Sequence, residues 1–539
     1  MSERLQKAFS LEKAFFYMSK MNPNVKQVVI AGGGTAGWLS AAILAADRAA
    51  VASADFHITL IESPDIAPIG VGEGTWPSMR ATLKRIGVSE TDFIRECSAS
   101  FKQGSKFVGW THGKSETYYH PFSLPQGYDD VNLAAAWQAF SEQVSFADAV
   151  SAQSSLCEHG LAPKQIATPE YAPVANYGYH LDSAKFSSFL QKHCVEKLGV
   201  THVLANISEI NAHPNGDIAS LSLHSGEPIE GDLFIDCTGF ASLLLGQHYQ
   251  IPLVSQQDIL FNDTALAAQV PYARVDDPIA SATLATAQTA GWIWDIGLPH
   301  RRGVGYVYSS AHTTREKAEQ QLREYIAIGL GVQQASALDV RELNINPGYR
   351  QKLWHKNCVA IGIAAGFIEP LEASALVLVE LSATMLSDQL PVNREAMDIL
   401  ARRFNERFLT QWQRIVEFLK LHYILTQRND SDYWRDHCDQ GTIPERLREL
   451  VTLWRHQCPW HQDGRFIDDM FPPASFQYVY YGMGGKTHLA ANRSQPKDAA
   501  AKAMGEFQNN RRKIEQLLGS LPSNRELINK IMQYGLPKI

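Results

Sequence analysis

Gly32-Gly33-Gly34-Thr35-Ala36-Gly37 is the stretch on which the fold turns. It follows Val25-Lys26-Gln27-Val28-Val29-Ile30-Ala31, an apolar run that reads as a buried strand. It precedes Trp38-Leu39-Ser40-Ala41-Ala42-Ile43-Leu44, which reads as a helix. Strand, glycine turn and helix in that order place a dinucleotide pyrophosphate on a helix N-terminus, where free N–H groups and the helix dipole favour anions. Gly32 allows the tight turn, Gly34 lets the backbone approach the phosphates, and Gly37 lets helix pack on strand. Thr35 and Ala36 complete the same phosphate loop. The next strand, Phe56-His57-Ile58-Thr59-Leu60-Ile61-Glu62, ends in an acid 25 residues after Gly37, close to the usual spacing for a ribose-binding carboxylate.

Outward from this unit, strand-like and helix-like runs alternate to about residue 385, and from about 390 the pattern is mainly helical. The sequence thus divides into an N-terminal extension (1–24), a nucleotide-binding core (25–389) and a mainly helical C-terminal part (390–539). The expected fold class is α/β, with a Rossmann-type FAD-binding domain of the monooxygenase kind and a helical part over the substrate. A net charge of −7 gives no support to nucleic acid as a partner, and no apolar run is long enough to span a bilayer. The first 20 residues carry Glu3, Arg4, Lys7, Glu12 and Lys13, unlike a secretory signal. Seven scattered cysteines without C-x-x-C read as reduced thiols of a soluble cytoplasmic protein. Gly485-Lys486-Thr487 is not a P-loop, because residue 480 is tyrosine where the motif needs glycine. His456, Cys458 and His461 fit no standard zinc spacing, so no metal is expected.

Two later strands select FAD over NAD. Leu233-Phe234-Ile235-Asp236-Cys237-Thr238-Gly239 is an apolar strand ending in Asp-x-x-Gly, expected beside the adenosine half. Cys358 to Gly366 is a Gly/Ala-rich strand-to-helix turn, with Gly362 and Gly366 expected near the isoalloxazine half. No second complete G-x-G-x-x-G is present for a nicotinamide nucleotide, so reducing equivalents are expected as FADH2 made by another protein.

At this point the chain resembles the flavin-dependent halogenases, in particular the tryptophan halogenase family. Gly33 to Trp38 resembles the family's glycine loop. Ile69-Gly70-Val71-Gly72-Glu73-Gly74-Thr75 with Pro77 resembles the loop that covers the flavin. Phe101-Lys102, with Lys106-Phe107 and Trp110, resembles the segment carrying the active-site lysine. Tyr119-His120-Pro121-Phe122 resembles the segment whose His and Phe sandwich an indole, and Phe367-Ile368-Glu369-Pro370-Leu371-Glu372 resembles the family's acidic block.

The resemblance implies that reduced FAD and O2 turn halide into hypohalous acid, which travels through a tunnel to an aromatic substrate. Lys102 would hold the oxidant, and Glu372 would stabilise the cationic intermediate and take its proton. Lys106 competes with Lys102: were Phe101–Trp110 one strand, both would share a face. Lys102 is preferred because it follows Phe101, as in the family. Glu369 reads as structural. Gly70, Val71, Gly72 and Glu73 would cover the flavin, His120 and Phe122 would stack on the substrate, and Trp292 and Trp294 would form the wall between substrate and flavin. A separate flavin reductase is implied, and family members are often dimers.

Three departures from the family pattern stand out. The wall motif Trp-x-Trp-x-Ile-Pro reads Trp292-Ile293-Trp294-Asp295-Ile296-Gly297. The family's Ser-Thr-Gly after the acid reads Ala373-Ser374-Ala375, with amides at Ser374 and Ala375 still available for chloride or bromide. Where the tryptophan enzymes carry a Tyr pair, Phe476-Gln477 stands, which speaks against free tryptophan and for indole or another electron-rich arene. Two other functions are weighed beside halogenation: an aromatic hydroxylase without halide, and a non-catalytic flavin-binding or sensing protein.

Overall fold

The structure is a computed structural model that describes residues 25–49, 56–66, 70–464, 470–488 and 498–538; the N-terminal extension and Ile69 lie outside them. Gln27–Ala31 forms the strand foreseen, with four of its five residues buried. It pairs in parallel with His57–Glu62 on one side and Leu233–Asp236 on the other. The sheet runs from Trp354–His355 through Cys358–Ala360, Leu233–Asp236, Gln27–Ala31 and His57–Glu62 to Thr201–Leu204. Only its Trp354–His355 edge is antiparallel. Parallel strands need crossovers, and helix Thr35–Ala49 supplies the first of these. Gly32 adopts φ +114°, and a Cβ on Gly37 would stand 1.9 Å from the Gly32 carbonyl oxygen. Both glycines are therefore dictated by packing, as the sequence reading required.

A seven-stranded sheet builds the other half of the interior. Its order is Arg341–Asn344, Thr264–Pro271, Arg301–Tyr308, Gly291–Gly297, Thr283–Ala287, Gly104–Val108 and Thr117–Pro121. Gly291–Gly297 lies at its centre with all seven residues buried. A three-stranded sheet, Gly72–Gly74, Gly178–Asp182 and Ser100–Lys102, abuts that strand: a Cβ on Gly72 would lie 3.3 Å from Ile296 Cγ2.

The C-terminal helices include Arg394–Ile424, Pro473–Gly482, Ala499–Leu518 and Asn524–Tyr534, the last two divided at Pro522 as expected. Residues Ile415–Tyr423 of the long helix are all buried, so this segment has no solvent face. No helix among the described residues is long and apolar enough to cross a membrane.

Beneath the three-stranded sheet lies a dry ion pair. Lys164 Nζ meets Glu90 Oε2 at 2.7 Å, and both side chains are wholly buried. Glu90 also accepts from the hydroxyls of Tyr177 and Tyr179 at 2.7 Å each. Breaking such a pair strands a charge in low dielectric. Lys164→Met is therefore expected to cost about 3–5 kcal/mol in urea unfolding, and the double change with Glu90→Gln to recover part of that loss.

Candidate active site

The flavin cradle is shaped by missing side chains. A Cβ on Gly33 would collide with the Glu62 carboxyl at 2.2 Å, whereas one on Gly34 would meet nothing within 4 Å. Gly34 thus opens onto free space at the N-terminus of Thr35–Ala49, where the first N–H groups have no intrahelical acceptor. Glu62 Oε2 lies 2.9 Å from His202 Nε2, yet neither atom finds a hydrogen-bond partner. A ribose hydroxyl could supply that missing donor. Gly362 (φ +75°) backs onto Ala36, where a Cβ would come within 2.6 Å of the Ala36 Cβ. These residues fit a dinucleotide.

Asp236 is placed differently from the other candidates. Its carboxylate accepts from Thr238 N and Oγ1, Ser242 Oγ, Leu244 N and Leu245 N. All its lone pairs are committed to the loop that includes Gly239, so it shapes the cradle without offering an oxygen to a ligand. Gly366 pairs with Tyr349 in a short antiparallel ladder. The covering loop is tied down through Val71, whose carbonyl accepts from Ser183 N and Oγ, and through Gly70, whose carbonyl accepts from Gln269. Glu73 is pushed up to about 7 by burial and by Asp182.

Lys102 and Lys106 do not share a strand. Ser100–Lys102 and Gly104–Val108 belong to different sheets, and the chain turns between them at Gly104 (φ +154°). Lys106 goes to the periphery, where it pairs with Glu158 at 2.6 Å. Lys102 goes inward, 1% exposed, with Nζ 5.3 Å from the Phe122 ring centroid. A Cβ on Gly74 would stand 3.1 Å from this Nζ and 3.2 Å from the Ala373 Cβ, so the ammonium lies close to the acidic block. Burial lowers its pKa to about 8, and the Glu372 charge opposes that shift.

Glu372 sits at φ +66° and Ala373 at φ +54°, conformations costing roughly 1 kcal/mol or more each. The Trp76 indole holds the Glu372 carbonyl at 2.8 Å. His120 Nδ1 lies 2.8 Å from Oε1, Ser105 Oγ donates to Oε2 at 3.2 Å, and His422 Nε2 stands 3.4 Å from Oε1. Burial pushes this carboxyl up, but the hydrogen-bonded His120, with smaller help from its other neighbours, outweighs it and holds the group below the ordinary glutamate value. His422 is forced to about 3 by burial and is neutral. The Tyr118 hydroxyl lies 2.7 Å from its Nδ1, and the tautomer that accepts from this hydroxyl puts N–H on Nε2, on the Glu372 side but without a hydrogen bond.

His120 is held at both ring nitrogens, the second by Ser475 Oγ at 2.9 Å. It is therefore anchored to the acid, with Phe122 on the lysine side. Glu369, three residues before Glu372, is saturated by donors: Trp292 Nε1 at 2.7 Å, Asn262 Nδ2 at 2.5 Å and the Tyr423 hydroxyl at 2.8 Å from each oxygen. It thereby fixes one tryptophan of the wall, in keeping with a structural role. Trp294 lies flat on Gly305, where a Cβ would be 2.0 Å from its ring. The strand keeps its pairing through Ile296↔Gly303 and Gly297↔Arg302, so glycine in place of proline leaves the wall standing. Ser374 and Ala375 open the helix Ser374–Asp388, Ser374 buried and Ala375 exposed. Gln477 turns away to Pro459 O and Asn132.

A family model described as tryptophan halogenase matches residues 27–499. The chain belongs to the tryptophan halogenase family. This halogenase-family chain is 50% identical to a tryptophan halogenase from Shewanella frigidimarina, with a TM-score of 0.92 over 96% of this chain and 99% of that one. It is 31% identical to tryptophan 6-halogenase SttH of Streptomyces toxytricini, over 94% of this chain and 98% of the relative. BrvH, a flavin-dependent halogenase from Brevundimonas sp. BAL3, has 30% identity and a TM-score of 0.82 over 95% of this chain and 100% of that one.

Sequence reasoning missed His422, Tyr118, Trp76, Ser105 and Ser475. The available signal for His422 was its place inside Phe418-Leu419-Lys420-Leu421-His422-Tyr423, a polar side chain in an apolar run. The proximity of lysine and acid has a measurable consequence. In lysine-15N-labelled protein, the Lys102 signal is expected to titrate near pH 8, well below the ordinary ~10.4. Glu372→Gln removes the charge that favours the ammonium and is expected to move that titration lower still.

Proposed function

We propose that this chain halogenates an electron-rich arene, an indole-like or tryptophan-like substrate, with FADH2 from a separate flavin reductase, O2 and chloride or bromide. The observation that carries this reading is a buried lysine, Lys102, lying close to the acidic block that holds the buried Glu372, beside a cradle fitted to a dinucleotide. Bound reduced FAD would supply, with O2, the oxidising power that turns halide into hypohalous acid. Gly34, Thr35, Ala36 and Gly37 would hold its pyrophosphate, Glu62 its ribose, and Gly70–Glu73 its covering loop. The first amides of Ser374–Asp388, at Ser374 and Ala375, would hold the halide.

Lys102 donates hydrogen bonds from its ammonium to the oxygen of hypohalous acid and so polarises the halogen. The arene attacks that halogen between Lys102 and Glu372, beside Phe122 and His120, as the oxygen–halogen bond breaks and the departing hydroxide takes a proton from the Lys102 ammonium to leave as water. Glu372 stabilises the cationic ring and accepts the proton from the substituted carbon, whose C–H electron pair restores the aromatic system. His120 keeps the carboxylate oriented while it remains ionised. Trp292, held by Glu369, and Trp294 exclude water and keep the arene from the flavin.

Mass spectrometry of reactions with FAD, a flavin reductase, NADH, O2 and bromide tests this on a panel of tryptophan, indole and phenols. The expected product shows a bromine isotope doublet. Lys102→Ala is expected to abolish it while NADH oxidation continues, and Glu372→Gln to lower kcat by about 10²–10⁴. An added oxygen independent of halide would overturn the proposal.

A further inference from the structure

A second polar side chain stands beside Lys102, and the mechanism above leaves it unused. His180 is 0% exposed, on the middle strand of the three-stranded sheet. Gly74, His180 and Ser100 are directly paired across that sheet, and Lys102 pairs with Gly178, two residues from His180. By the two-residue period all of these share one face. Gly74 carries no side chain, and a Cβ there would stand 3.1 Å from Lys102 Nζ, so Lys102 lies over Gly74, the residue paired directly with His180. The opposite side is closed by the seven-stranded sheet: His180 Nε2 is 2.8 Å from Thr283 Oγ1, at the start of the strand that pairs with the tryptophan wall.

His180 Nδ1 is buried and has no hydrogen-bond partner. Burial, with the charge of Lys102, drives the ring well below the ordinary histidine value, so it is neutral. A neutral imidazole has one N–H and one lone pair. With an ammonium close by, the favoured tautomer gives Nε2–H to Thr283 and keeps the lone pair on Nδ1. An unpaired buried acceptor costs about 1–3 kcal/mol, which makes this nitrogen a vacancy for a donor.

Resting on the halogenase reading, we propose that His180 Nδ1 and Lys102 Nζ form a two-point site for hypohalous acid. The O–H of the acid donates to Nδ1, and its oxygen accepts from the Lys102 ammonium. No covalent bond forms or breaks in this step. A molecule with one donor and adjacent lone pairs matches one acceptor beside one cation, and a halide ion, having no donor, does not.

The test uses His180→Phe and His180→Gln with Lys102 and Glu372 intact. Reactions contain bromide, reductase, FAD and the arene, with taurine in bulk solution to trap escaped oxidant as a bromamine. The expected result is roughly tenfold less brominated arene per NADH consumed, with the missing equivalents recovered as bromamine. Flavin affinity by fluorescence is expected to match wild type, and a cooperative thermal transition identifies the variants that are folded. An unchanged ratio of arene product to bromamine in a folded, flavin-binding variant overturns the proposal. If both variants lose their fold, Thr283→Val, which frees Nε2 and so the tautomer, is expected to leak oxidant, and no leak overturns it. Independently of turnover, histidine-15N-labelled apo-protein is expected to show Nδ1 of His180 as the lone-pair nitrogen; a protonated Nδ1 overturns it. Wild-type enzyme yielding neither brominated arene nor bromamine would instead overturn the halogenase reading itself.

Discussion

An ionised carboxylate in a water-free pocket is the constraint that organises this protein. Glu372 pays for its burial with a left-handed backbone, a carbonyl pinned by Trp76 and a carboxylate surrounded by His120, His422, Ser105 and Lys102. Those groups come from separate parts of the chain: two sheets, the long helix Arg394–Ile424 and the covering loop. None can be moved independently, because each is itself buried and satisfied elsewhere, His422 by Tyr118 and His120 by Ser475. The charge is tolerable only in the complete fold, which makes the site a product of tertiary structure and not of any one motif.

Two glutamates separated only by Pro370 and Leu371, Glu369 and Glu372, carry opposite duties. Glu369 accepts from Trp292, Asn262 and Tyr423, which fix it in place, while burial pushes its carboxyl above the ordinary glutamate value. Glu372 is held mainly through one oxygen, leaving the other with only a 3.2 Å contact from Ser105. Pro370, between them, limits the backbone and lets one carboxylate brace the tryptophan wall while the other faces the lysine. The difference between support and chemistry here lies in the partners: fixed N–H and O–H donors brace Glu369, whereas His120 holds Glu372 below the ordinary glutamate value.

The nucleotide-binding half was legible because its cues are local. Glycine where a Cβ would strike a neighbouring carbonyl, and an acid at a strand end, leave marks within a few dozen residues. The choice of Lys102 over Lys106 was legible only through the motif: periodicity placed both on one face, and the turn at Gly104 that separates them depends on two sheets competing for the segment. Asp236 was expected beside the adenosine half as a cofactor-binding residue, but local donors absorb its carboxylate and leave it to shape the loop. His422 and Tyr118 were invisible because their meaning arises from a contact between residues 304 positions apart. No short-range pattern encodes such a pair.

The glycine floor beneath Lys102 has a consequence for the durability of the catalyst. An electrophilic halogen species attacks thiols, thioethers and electron-rich rings first. Gly74 offers it only backbone, and the residue packed on Gly72, two positions earlier, is the saturated side chain of Ile296. The floor directly beneath the reactive ammonium is thus inert to such an oxidant, while the Phe122 ring and the His180 imidazole flank it. Wear would begin at the margins of the pocket, and the number of cycles before failure would be set by how far the oxidant strays.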